Sequence, residues 1–168
     1  LSIVGIPGAG KTTAARFLAD YFGVQYIHSS AIARNQCPGD WAARGDMAPE
    51  PCTTIAVEET VSGYNQWVLD GFPRAMYQLR SPIIRREPMV FLDVSPAQAL
   101  IRAIKRGRDD RAIEEKRIRE QGQLLAPVRA LAAVVIPTSF RTPEQVNQSI
   151  LDWYLHDVHP NELGSNAR

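Results

Sequence analysis

Residues 5–12 read Gly-Ile-Pro-Gly-Ala-Gly-Lys-Thr, a full match to G-x-x-x-x-G-K-T, and nothing else in the chain narrows its folding options as sharply. Just before it, the apolar run 1–5 reads as a buried strand, and behind it residues 11–22 carry helical periodicity. A strand, a glycine turn and a helix in that order aim successive backbone N–H groups at one point. That point is a helix N-terminus, where the peptide dipoles favour an anion. Gly8, Ala9, Gly10, Lys11, Thr12 and Thr13 are therefore expected to grip the phosphates of a nucleoside triphosphate. Lys11 is suited to reach the β- and γ-phosphates, and the Thr12 hydroxyl to touch Mg²⁺. A glycine turn that spells the motif by chance is the competing reading, and the strand–helix context weighs against it.

The rest of the chain repeats the alternation. Strand-length apolar runs at 25–27, 66–69, 89–93 and 132–136 are separated by helical patterns at 30–35, 49–62, 74–79, 95–105, 112–125 and 143–156. Ser95-Pro96 and Thr142-Pro143 are helix starts, a hydroxyl N-cap followed by proline at the first helical position. Alternating strands and helices make a parallel sheet with crossover helices, and 168 residues suit one such domain. The polar tail from residue 159 onward is expected to be loosely held.

Composition excludes more than it selects. A net charge of +1 gives no global reason to expect a nucleic-acid or membrane partner, and no apolar run approaches the length of a membrane span. The opening residues do not read as a signal peptide, so a cytoplasmic protein is expected. Sixteen of the nineteen basic residues are arginine, which suits bidentate phosphate contacts but equally fits a coding bias. Cys37 and Cys52 have neither metal-ligand spacing nor a C-x-x-C pattern, and a pair of reduced thiols is the expectation.

A second constellation, Val68-Leu-Asp-Gly-Phe-Pro-Arg74, follows the third strand. Asp70 at a strand end beside the glycine turn can hold Mg²⁺ through water, and Arg74 can project into the same cleft. Taken alone, Asp-Gly is also an ordinary turn and Arg74 an ordinary surface residue. Together with the glycine turn, the string Asp-Gly-Phe-Pro-Arg resembles the adenylate kinases, and the resemblance runs over nearly the whole chain. It implies that residues 27–34, Ile-His-Ser-Ser-Ala-Ile-Ala-Arg, place Ser29 beside an acceptor base and Arg34 on its α-phosphate. It implies that the turn holding Met47, and Gly71, line the acceptor AMP, with Arg74 between acceptor and transferred group. Gln78 matches the glutamine that reads adenine; a solvated helix glutamine is the alternative. His28, Ser30 and Ala31 depart from the family pattern.

Arg102, Arg106 and Arg108 crowd one helix end, followed by Asp109, Asp110 and Arg117. Such a run is commonly a solvated helix cap. The resemblance implies instead that Arg106, Arg108 and Arg117 wrap the phosphoryl group in flight, and that Arg102 stacks on the donor adenine. Long-lid members of the family insert a subdomain here, some with zinc-binding cysteines. This chain has room only for a short loop, about 106–116, and no zinc is expected.

The combined expectation is an α/β P-loop NTPase fold, a five-stranded parallel sheet of order 2-3-1-4-5 flanked by helices. A small helical acceptor-binding insert at 28–62 and a very short lid complete it. The implied reaction is reversible transfer from ATP·Mg²⁺ to AMP, giving two ADP, by a monomer acting on small-molecule nucleotides. Three rivals stand beside it: a UMP, CMP or deoxynucleotide kinase, a small-metabolite kinase of the shikimate or gluconate type, and a nucleotide-binding protein without catalysis.

Overall fold

The computed structural model describes residues 1–82, 86–107 and 110–159. Five parallel strands form one sheet: β1 (Ser2–Val4), β2 (Gln25–His28), β3 (Trp67–Asp70), β4 (Met89–Asp93) and β5 (Val134–Pro137), in the order β2-β3-β1-β4-β5. The order and its five-strand count are those expected from the sequence. Strands β1, β3 and β4 are almost wholly buried, which is why they read as unbroken apolar runs and not as alternating ones. Register decides what meets at the carboxyl edge. Ile3 pairs with Asp70, and Asp70 with His28, so the end of β1 and the end of β3 open side by side into the same crevice.

Helix α1 (Lys11–Phe22) packs on the sheet through Ala14, Ala15, Leu18 and Ala19, and the three alanines let the helix lie close. The main core gathers these residues with Ile3, Val4, Val90, Leu92, Ile118, Leu125 and Ile150. It is closed by α4 (Pro96–Lys105), α5 (Arg111–Arg129) and α6 (Pro143–Trp153). The two hydroxyl caps do what their sequences announce: Ser95 Oγ accepts from Gln98 N, and Thr142 with Gln145 forms a reciprocal capping box.

A second apolar cluster, Ile27, Val57, Val61, Leu69 and Phe72, fixes α3 (Cys52–Ser62) to the edge of the sheet. A third, small one, of Ala33, Cys37, Trp41 and Ala48, ties α2 (Ser29–Gln36) to the loop that leads to α3. These two helices and that loop are the insert.

Three local expectations are corrected. Residues 76–80 form a 3₁₀ turn, Met76–Arg80, where an α-helix from residue 74 was expected, because Ala75 has extended backbone, φ −152° and ψ 159°, which no helix can contain. The lid loop expected over 106–116 is about half as long. Asp110 Oδ1 accepts from Ala112 N at 2.7 Å and caps α5, so residues 111–116 are already helix. The Cys37 and Cys52 thiols are not free: they form a disulfide across fifteen residues, joining the end of α2 to the start of α3. Their spacing carries no sequence signal, since only the antiparallel return of α3 beside α2 brings them together. Arg108 and Asp109 lie outside the described residues.

Candidate active site

The glycine turn after β1 is built by backbone geometry that side chains resist. Gly8 and Gly10 have φ of 82° and 98°. At Gly8 there is also no space: a Cβ would stand 2.4 Å from the carbonyl oxygen of Ala99 on α4. The turn therefore sits pressed against α4, and Gly8, Gly10, Lys11, Thr12 and Thr13 line the crevice. Lys11, half-buried, donates to the Ile6 carbonyl at 2.9 Å across the turn. Desolvation lowers its ammonium to about 8, partly opposed by the Asp70 carboxylate nearby and reinforced by Arg74 and Arg106.

Asp70 ends β3 at 1% exposure. Its Oδ2 accepts from the Thr12 hydroxyl at 2.7 Å and the Tyr26 hydroxyl at 3.0 Å, with His28 Nε2 at 3.7 Å. Burial pushes His28 down, opposed by Asp70. Burial, followed by the Asp70 charge, pushes the Tyr26 phenol up to about 12, so it remains a donor to that carboxylate. Thr12 and Asp70 together offer hard oxygen donors beside the turn, which fits Mg²⁺.

Arg74 crosses from the 3₁₀ turn into the crevice. Its Nε donates to the Gly71 carbonyl at 2.8 Å, and Nη2 donates to Ser29 Oγ at 3.0 Å and to Ser30 Oγ. Ser29 in turn bonds the Asp70 and Gly71 carbonyls at 2.9 and 2.8 Å. The Asp-Gly-Phe-Pro-Arg segment and the start of α2 thus hold one arginine in one orientation.

The principal cleft has a volume of about 520 Å³, and its walls carry Gly8, Gly10, Lys11, Thr12, Thr13, Arg34, Asp70, Gly71, Arg74, Arg106 and Arg117. A smaller cavity of about 180 Å³ opens on the other side of the turn, lined by Ala9, Gly10, Thr13, Arg102, Arg106 and Thr138 among others. Arg102 borders it but is already fastened. Its guanidinium donates to Gly8 O, Thr138 O and Oγ1, and Ser139 O at 2.5–3.3 Å, tying the glycine turn to the loop after β5.

Three residues expected on the acceptor are not on the cleft wall. Ser29 is buried beneath Arg74, and Met47 is half-buried outside the cleft lining. Gln78 is at 1% exposure, its Oε1 accepting from Arg74 N and its Nε2 donating to Glu50 Oε1, both at 2.5 Å. It is neither a solvated helix residue nor an open edge for a base. It braces the segment that carries Arg74.

The cleft also holds residues that the sequence did not mark, together with Asp46 from the turn that holds Met47. Trp41, Ala42, Ala43 and Asp46 come from the loop between α2 and α3, and Glu114 and Gln121 from α5. Asp46 Oδ1 meets Lys116 Nζ at 2.6 Å, Arg117 Nη2 donates to the Ala42 carbonyl at 2.5 Å, and Gly45 packs on Ile113. The insert loop is therefore docked on α5.

With this geometry in place, the match of residues 2–123 to the AAA domain family has a structural meaning: the chain is a P-loop protein. Among its relatives is an adenylate kinase of Parasynechococcus marenigrum (strain WH8102), 30% identical over 66% of this chain and 70% of that protein. One from Synechococcus sp. (strain CC9311) is 29% identical over the same shares. The chain belongs to the adenylate kinase family of nucleoside monophosphate kinases. The fold is also that of a shikimate kinase from Acinetobacter baumannii, solved in complex with shikimate, at a TM-score of 0.71 and 22% identity over 94% of this chain and 93% of that one. Its coarse activity follows from the kinase relatives: it is a P-loop kinase, a phosphotransferase.

Proposed function

We propose that the chain transfers the γ-phosphoryl group of ATP reversibly to AMP, giving two ADP. The observation that carries this reading is the disposition of charge: Lys11 at the glycine turn has Arg34 and Arg74 on the insert side and Arg106 and Arg117 on the α4–α5 side, around one cleft. Two cation groups on either side of the transfer point suit a donor and an acceptor that both bring phosphates. The adenylate kinase relatives support AMP as that acceptor.

Phosphoryl transfer leaves little covalent work for the protein, so positioning and positive charge supply most of the catalysis. The glycine turn grips the donor phosphates, and Lys11 offsets charge between the β- and γ-positions. Arg74, held by Gly71 and Ser29, faces the acceptor phosphate and the moving group. An acceptor phosphate oxygen is an anion at neutral pH, so no general base is needed. Thr12 and Asp70 are the residues that would hold Mg²⁺, whose contribution when bound is positive charge on the donor phosphates.

A second reading has one observation in its favour. Gln78 is occupied internally, so the base-reading edge implied by the resemblance is missing from the cleft wall. An acceptor without a base, a small hydroxy acid, would not need it. The deciding experiment is a coupled assay over AMP, UMP, CMP, deoxynucleotides and shikimate, with Lys11→Ala as the control. AMP preferred, and activity falling on the order of 10²-fold or more in Lys11→Ala, is the expected result. Preference for shikimate, or none for AMP over pyrimidine acceptors, sinks the adenylate kinase reading.

A further inference from the structure

Glu114 is a carboxylate in a place where a carboxylate is costly. It is at 5% exposure and lines a cleft that also carries Lys11, Arg106 and Arg117 and is built for anions. A buried negative charge there repels phosphate unless a cation engages it closely. Its partner is Arg117, one turn later on α5, whose Nη1 donates to Glu114 Oε1 at 2.8 Å. The Nη2 atom of the same guanidinium donates to the carbonyl of Ala42 at 2.5 Å. A planar guanidinium anchored at two nitrogens, from two different elements, has its plane set. Ala42 belongs to the insert loop, so the orientation of Arg117 also depends on that loop being seated on α5.

We propose that Glu114 is a positioning residue which, with the Ala42 carbonyl, sets the plane of Arg117 toward the phosphoryl group being transferred. The inference rests on the reading above that Arg117 contacts that group. On this reading Glu114 acts through Arg117 and not on a substrate directly. It holds the arginine that does, and the pairing makes the arginine's geometry conditional on the acceptor insert.

The test is a double-mutant cycle of Glu114→Gln and Arg117→Ala, read in kcat and in both KM values. Glu114→Gln keeps the shape of the side chain and removes the charge. In the wild-type background it should lower kcat roughly ten- to hundredfold while KM for ATP stays within about twofold, as misorientation at the reacting group does. In the Arg117→Ala background the same change should cost less than about twofold. Glu114→Asp should recover part of the loss. An equal loss in both backgrounds, or a loss that follows a lowered melting temperature, makes Glu114 a purely structural residue and overturns the proposal; so does no loss at all. Should the wild type transfer phosphate to no acceptor, it is the proposed function that fails. The same cycle is then read in the affinity for ADP with aluminium fluoride, a mimic of the phosphoryl group in flight. A loss on Glu114→Gln that vanishes in Arg117→Ala upholds the positioning role there, and its persistence refutes it.

Discussion

At the scale of single residues, the desolvated Lys11 makes the sharpest prediction. Its ammonium sits at about 8 because desolvation outweighs the pull of Asp70. The folded value lies below the unfolded one of 10.5, so the unfolded chain holds more protons between the two. The cost of burying the charge is present in full below pH 8 and is relieved as pH rises through that window. Phosphate binding acts in the opposite sense, since a neighbouring anion raises the lysine again. ADP without metal should therefore bind with proton uptake near pH 9, and its affinity should fall as pH rises past about 8. Calorimetry in buffers of different ionisation enthalpy measures this, and zero uptake at pH 9 contradicts it. Gln78 makes a second prediction. Gln78→Ala strips partners from the Glu50 carboxylate and the Arg74 N–H, which costs about 1–3 kcal/mol of stability. Activity should fall alike for every acceptor. A loss confined to AMP would show that the amide leaves Glu50 to read the base.

Between elements, the joint of α2 with α3 is closed by the Cys37–Cys52 disulfide, which encloses the loop carrying Trp41, Ala42 and Asp46. Restricting a loop of this length in the unfolded chain is worth about 3 kcal/mol in the chain-entropy account. Cys37→Ser with Cys52→Ser should therefore lower stability by about that amount in denaturant unfolding. A matching drop should follow reduction of the wild type, and stability untouched by either treatment would refute the pairing. Helix α5 shows how a cap sets function: Asp110 starts the helix early, and the five residues 106–110 are all that separates it from α4.

For the whole molecule, the shortness of that connection moves the burden of covering the cleft to the insert. Lys116–Asp46 and Arg117–Ala42 bring the loop across to α5, and on the function proposed above this part of the insert would shield the phosphates. We expect measurable ATP hydrolysis without acceptor, higher relative to transfer than in a long-lid adenylate kinase, because a short loop excludes water less completely. If the docked loop is the shield, Lys116→Ala should raise that leak by roughly two- to fivefold, the scale of an exposed ion pair. Phosphate release with and without AMP reads it. A leak indifferent to Lys116 would place the shielding elsewhere.

The strand order and the place of Arg74 came with the family resemblance; the residues by themselves determined the glycine turn, the alternation that makes a parallel sheet, and the gathering of Lys11, Thr12 and Asp70 at strand and helix ends. These depend on local rules: glycine where φ is positive, apolar runs where both faces of a strand are covered, and functional side chains at strand ends. The tertiary structure alone decided what joins segments distant in sequence. The disulfide, the Gln78–Glu50 brace, the fastening of Arg102 to Gly8 and Thr138, and the seat of Ala42 and Asp46 on α5 all belong there. Each joins residues with no shared periodicity, through side chains whose partners are chosen by packing. A polar side chain carries its hydrogen-bonding capacity in the sequence, but which group satisfies it is settled only when the chain has closed around it.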